Sequence, residues 1–171
     1  MKSKIDLDDY LEYVSILSSL DLKHKNMFGD NTHPDLPKKF TENFIRHIFD
    51  LSEVKIKNHG DAKLAEKDIY FEIKATGANV GGNSFSNNNA HYVIWAFFNL
   101  KLLTLEVKLI NMKIISRDLK GKKPKTINFN NIKINDNIIE VSKIDLKLNK
   151  RDLTIEFQKS KELLRKKLKI R

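Results

Sequence analysis

His59-Gly60-Asp61-Ala62-Lys63-Leu64-Ala65-Glu66-Lys67-Asp68-Ile69-Tyr70-Phe71-Glu72-Ile73-Lys74-Ala75-Thr76 joins a glycine turn to a run of alternating apolar and polar residues. Within it Ile69, Phe71 and Ile73 alternate with Tyr70, Glu72 and Lys74. That alternation is the period of a half-buried strand. The apolar set faces a core, and Glu72 and Lys74 project side by side from the other face. Ala65-Glu66-Lys67-Asp68 is polar and short, which predicts a turn. Gly60-Asp61 lies just before it, where a folded-back hairpin brings a further charged group beside Glu72.

Two carboxylates and an amine on one sheet edge make a specific chemical suggestion. Carboxylate oxygens are the ligands that Mg²⁺ prefers, usually one or two of them with waters completing the octahedron. A cation held there stabilises developing phosphate charge and makes a bound water more nucleophilic. A lysine beside it orients or deprotonates that water and offsets charge on the pentavalent phosphate. These are the parts needed to hydrolyse a phosphodiester.

Asp61 followed by Glu72-Ile73-Lys74 reads as D-x10-E-x-K. This pattern resembles the active-site signature of the PD-(D/E)XK nuclease superfamily, which includes the type II restriction endonucleases. The resemblance implies metal ligation by Asp61, Glu72 and the backbone carbonyl of Ile73, with Lys74 assisting the water. Gly60 stands where that signature carries proline. Leu36-Pro37-Lys38-Lys39-Phe40-Thr41-Glu42-Asn43 is similar to the helix that precedes the catalytic hairpin in many restriction endonucleases. By the same resemblance Glu42 is an auxiliary acidic residue of the catalytic site, holding a metal-bound water. The competing reading of Glu42 is an exposed pair with Arg46, one turn away. The competing reading of Glu72 and Lys74 is a solvated charge pair on a strand. The hairpin context and the charge of the whole chain favour the site.

That charge is a formal +10 over 171 residues, with 40% hydrophobic and 32% charged side chains. The length suits one domain with its own core, and the composition is that of a globular chain rather than a disordered one. So basic a balance suggests a polyanionic partner, nucleic acid first. There is no cysteine, which excludes disulfides, zinc–thiolate sites and cysteine nucleophiles. The first residues, Met1-Lys2-Ser3-Lys4-Ile5-Asp6, lack the apolar run of a secretory signal. No segment is apolar over a length that spans a bilayer. A cytoplasmic protein with no membrane partner is expected.

Along the chain, Leu7, Tyr10, Leu11, Val14, Leu17 and Leu20 recur at helical spacing and predict a helix over residues 6–22. Residues 22–38 read as a loop in which His24 and His33 are within reach of phosphate. A second helix is predicted over 41–51, with Phe44, Ile45 and Ile48 on its apolar face. Val54-Lys55-Ile56-Lys57 alternates and predicts the first strand. Residues 77–89, rich in Gly, Ser and Asn, predict a loop just beyond the catalytic strand. Asn side chains read adenine edges and Ser hydroxyls suit phosphates, so Asn79, Asn83, Ser84, Ser86 and Asn87 are candidate DNA contacts. A plain surface linker is the rival reading.

Residues 91–100 are nearly all apolar and predict a central strand buried on both faces. Residues 103–110 alternate again and contain a second E-x-K, Glu106 and Lys108, ranked lower because no Gly-Asp hairpin precedes it. Its charges are expected to face solvent or a helix. Arg117, Lys120, Lys122, Lys123 and Lys125 crowd the segment 116–125 and are candidate phosphate contacts. Short strands over 127–147, an extended segment over 151–155 and a basic helix over 160–170 complete the chain.

The expected fold is α+β: a mixed β-sheet flanked by helices, resembling a restriction-endonuclease-like core over roughly 36–115 by the boundaries that sequence supports. Residues 116–171 would add DNA-contacting and dimerisation elements to a single nuclease domain. The expected function is that of a Mg²⁺-dependent type II restriction endonuclease acting on double-stranded DNA as a homodimer. A structure-specific nuclease of resolvase or repair type is the alternative within the same chemistry. A non-catalytic nucleic-acid-binding protein is the alternative from another class.

Overall fold

The computed structural model describes residues 6–30, 33–56, 59–77, 82–84, 89–119, 126–129 and 132–169. In chain order the elements are α1 (Leu7–Phe28), α2 (Lys38–Phe49), β1 (Leu51–Glu53), β2 (Ala62–Leu64), β3 (Tyr70–Thr76) and β4 (Gly82–Ser84). They continue with β5 (Tyr92–Asn99), β6 (Thr104–Asn111), α3 (Met112–Leu119), β7 (Thr126–Asn128), β8 (Ile138–Asp145) and α4 (Lys150–Lys167). Six strands form one sheet in the order β1-β2-β3-β5-β6-β8, and β4 pairs with β7 in a small second sheet. Within the large sheet β3 and β5 are parallel and the other neighbours antiparallel. The fold is thus α+β with a mixed sheet and helices, as expected.

Both faces of the central strands are covered, which is why β5 reads as a continuous apolar run. On one face Phe71, Ile73, Ile94, Ala96, Phe98, Leu105, Val107 and Leu109 pack against α1, α2 and α4. Tyr10, Phe44, Phe98 and Phe157 join there in a chain of aromatic contacts with centroids 5.0–6.0 Å apart. On the other face Val93, Trp95, Phe97 and Ile110 meet Met112, Ile115 and Phe129. Each fully buried large apolar side chain contributes about 1.5–3 kcal/mol, so these two layers hold β3 and β5 in place.

Several boundaries differ from the sequence expectation. The first helix runs to Phe28, beyond the end of its apolar pattern, and Gly29 stops it at φ +100°. Its last turns are fastened by a polar group instead: Asp21, buried, accepts from Lys25 Nζ at 2.5 Å and pairs with His33 Nδ1 at 2.9 Å. His33 is therefore engaged by a carboxylate. The first strand is Leu51–Glu53 rather than the described residues 54–56 of the expected 54–57, because its partner strand begins at Ala62, opposite Glu53; Lys57 lies outside the described residues. Val54 then gives its N–H to the Asp61 carbonyl at 3.4 Å and the chain turns away, leaving Ile56 exposed.

The segment 151–155 is not extended but opens α4. Asn149 caps that helix by accepting from the Asp152 N–H, and Leu153, Phe157, Ser160 and Leu164 form its buried stripe. The segment 77–89 is not wholly loop, since 82–84 is strand, and 116–119 belongs to α3.

Candidate functional site

The hairpin β2–β3 is short on one side. Ala62 and Lys63 pair with Phe71 and Tyr70, after which β2 ends while β3 continues to Thr76. The N–H groups of β3 beyond that point need another acceptor. Asp61 supplies it: its Oδ2 accepts from the Ile73 N–H at 2.9 Å, while its own N–H donates to the Phe71 carbonyl at 2.8 Å. The Asp61 carboxylate is thereby fixed across from the Glu72-Ile73-Lys74 triplet. The juxtaposition expected from the hairpin is present.

Gly60 makes the turn possible. Its φ is +86°, a conformation that L side chains rarely adopt, and a Cβ there would sit 2.5 Å from the Phe71 carbonyl oxygen. Proline, with φ locked near −65°, is incompatible with this backbone. Glycine at this position is a local consequence of how tightly the turn crosses β3.

Glu72 and Lys74 do share a face of β3, and Lys74 Nζ lies 2.7 Å from Glu72 Oε1. That face is not solvated as a lone strand would suggest. The second apolar layer flanks it, so the Glu72 side chain keeps 12% and the Lys74 side chain 21% of their exposure. A paired charge at that depth is held more firmly than a surface one.

Helix α2 brings the remaining groups. Pro37 precedes its first turn, and Lys38 and Glu42, one turn apart, both point to the hairpin. Lys38 Nζ is 3.3 Å from Glu42 Oε1 and 3.8 Å from Asp61 Oδ1. Burial, reinforced by the negative charge of Asp61, pushes the Glu42 carboxyl above its ordinary value, against the pull of Lys38 and Arg46. Asp61, then Glu42, with a smaller contribution from Glu72, raises Lys38 above the ordinary lysine value. Glu42 Oε1 is buried with no well-directed hydrogen bond, although the Lys38 ammonium stands close to it. The rival reading of Glu42, an exposed pair with Arg46, is not what the structure shows. Arg46 instead donates through Nη1 to the Asp61 carbonyl at 3.0 Å and through Nη2 to Asn43 Oδ1. It braces the turn rather than neutralising Glu42.

Lys38 therefore stands between Glu42 and Asp61, while Lys74 pairs with Glu72 on β3, the strand to whose Ile73 N–H Asp61 is bonded. Among the described residues no group of three or more His, Asp or Glu side chains is gathered as a ready-made cation cage; the carboxylates are tied to the two lysines. The donor set still suits a hard cation, which takes carboxylate and carbonyl oxygens with water. Arg46 also lines a groove of about 690 Å³ between α1, α2 and α4. Lys150 and Lys161 there are already joined to Asp8 and Asp50, so that groove carries none of this chemistry.

The second E-x-K is of another kind. Glu106 lies 3.6 Å from Lys143 on the neighbouring strand. Lys108 faces neither solvent nor a helix but is buried, donating to the carbonyls of Phe129 at 2.8 Å and Ile132 at 3.2 Å. Its ammonium stands 4.1 Å from the Phe129 ring centroid, and burial holds its pKa below the ordinary value.

Of the candidate DNA contacts, Asn79, Ser86, Asn87, Lys120, Lys122, Lys123 and Lys125 lie outside the described residues. Asn83 and Ser84 are on β4, paired opposite Ile127 and Thr126 of β7, and Arg117 is on α3. The two segments, distant in sequence, are thus joined directly after Lys125. Lys38 is the site residue that sequence reading missed. Its i,i+4 spacing to Glu42 was the available signal.

No known family model matches the chain, and no curated protein matches it. Among the described residues, no helix is long and apolar enough to cross a membrane.

Proposed function

We propose that the protein is a Mg²⁺-dependent deoxyribonuclease with a restriction-endonuclease-like core, and specifically a type II enzyme that cuts double-stranded DNA as a homodimer. The observation that carries this reading is the fixing of the Asp61 carboxylate against the backbone of Ile73, between Glu72 and Lys74. A solvated charge pair needs no such arrangement. Asp61, Glu72 and the Ile73 carbonyl would hold the cation, which when bound supplies charge stabilisation at the phosphate. Lys74, whose ammonium is paired with Glu72, would orient the attacking water and offset charge on the phosphate as the water oxygen joins phosphorus and the bond to the leaving sugar oxygen breaks. Glu42 holds a water at the rim of the site. The basic segment around β4 and β7 supplies backbone contacts that weaken steeply with salt. Cutting both strands requires two sites, which a two-fold dimer on a palindromic duplex provides.

The test is to incubate the protein with plasmid or phage DNA in Mg²⁺ or EDTA, beside Lys74→Ala. Discrete bands that require Mg²⁺ and vanish in the variant are expected. Metal-dependent nicking or smearing, lost in the variant, would move the function to repair or resolution with the same site. Intact DNA throughout, with a gel shift alone, would leave a binding protein and end the nuclease reading.

A further inference from the structure

Lys38 is out of place for a surface residue of a helix's first turn. Its side chain is 75% exposed, yet its ammonium lies within 3.3 Å of Glu42 and 3.8 Å of Asp61. Lys39, its neighbour in the same turn, is exposed and enters no ion pair with the cluster. A long, mobile side chain sacrifices rotamer freedom to take such a position, and the attraction of two carboxylates offsets that loss. The ammonium thus stands between carboxylates from two different parts of the chain, one on α2 and one just before β2.

We propose that the Lys38 ammonium is a built-in competitor for the divalent cation, occupying the Asp61–Glu42 edge of the site and setting how tightly the metal is held. The inference rests on the metal-dependent reading above. A cation bound by Asp61 and a Lys38 ammonium drawn to the same carboxylate exclude each other by like-charge repulsion at short range. Metal entry therefore requires Lys38 to swing outward, and its exposed stem leaves it free to do so. Lys74 has no such freedom, being recessed beside Glu72. The two lysines divide the work: one stays with the attacking water, and the other yields its place to the metal.

The consequence is measurable without DNA and without turnover. Mn²⁺ binding to the full chain, followed by electron paramagnetic resonance of free Mn²⁺ and by calorimetry, is compared for wild type, Lys38→Met, Lys38→Arg, Lys39→Met and Asp61→Asn. Removing a nearby positive charge from a dication site should tighten binding by about tenfold in Lys38→Met. Lys38→Arg, which keeps the charge, and Lys39→Met, which removes one outside the cluster, should stay near wild type. Asp61→Asn should weaken binding. Equal affinity in wild type and Lys38→Met would overturn the role of Lys38 while leaving the metal site intact. Binding that survives Asp61→Asn unchanged, or no Mn²⁺ binding to any of these proteins, would remove the metal-dependent reading and this inference with it.

Discussion

Gly60→Ala is the substitution on which the geometry of the site bears most directly. The backbone at Gly60 has φ +86°, and an added Cβ would lie 2.5 Å from the Phe71 carbonyl oxygen and 2.8 Å from its carbon. Left-handed backbone costs an L residue about 1–2 kcal/mol. To reach the 3.4 Å of ordinary contact, the turn and β3 must also separate by about 0.9 Å. That shift stretches the Asp61 N–H bond to the Phe71 carbonyl and the Ile73 N–H bond to the Asp61 carboxylate. A neutral hydrogen bond contributes about 0.5–1.5 kcal/mol and a charge-assisted one about 1.5–3 kcal/mol.

With partial replacement by water, the total loss should be about 4 kcal/mol, which for a chain of this size lowers Tm by roughly 10 °C. Gly29→Ala is the internal control. Its φ of +100° and ψ of 159° are also unfavourable to L residues, but nothing lies within 4 Å of the added Cβ, so it should lose about 1–3 kcal/mol from strain alone. Urea denaturation of both variants at pH 7, with Mn²⁺ binding measured alongside, separates the two contributions. The reasoning is refuted if Gly60→Ala is no less stable than Gly29→Ala, or if it keeps wild-type Mn²⁺ affinity despite a large loss of stability.

Two further variants probe charges away from the site. At Asp21, burial opposes ionisation, but hydrogen bonds from Lys25 and His33 outweigh it and hold the carboxyl below its ordinary 3.8. The stabilisation is therefore complete above that value and is lost as pH falls through the lower folded-state value. Asp21→Asn should cost about 2 kcal/mol at pH 7 and almost nothing at the acid end of the same urea series; a pH-independent difference would refute this. Lys108→Met removes a buried ammonium of similar volume whose charge burial disfavours. It should fall within about 1 kcal/mol of wild-type stability and retain cleavage, in contrast to Lys74→Ala. A loss of cleavage with the fold intact would assign the second E-x-K a part in the chemistry.

The pattern of residues determined more of the site than of the frame around it. Alternation through Ile69, Phe71 and Ile73, the polar turn after Leu64 and the Gly60-Asp61 pair were enough to place Asp61 beside Glu72 and Lys74, because side-chain period and turn chemistry are local properties. The apolar run of β5 likewise announced a strand covered on both faces. Where an element is decided by its partner, sequence pointed elsewhere. Val54-Lys55-Ile56-Lys57 alternates as well as any strand here, but pairing stops where β2 begins, at Glu53 opposite Ala62. The segment 151–155 read as extended, yet Asn149 caps a helix there whose stripe of Leu153, Phe157 and Leu164 finds its cover on the sheet.

Charges followed the same division. That Glu42 and Arg46 lie on one helix was legible, whereas Lys38, read as the end of a loop, opens that helix. Which of them would meet Asp61 depended on the distance from α2 to the hairpin, a tertiary quantity. Packing sent Arg46 to a backbone carbonyl and Lys38 to the carboxylates, and it buried Lys108 where strand alternation alone left it on an open face.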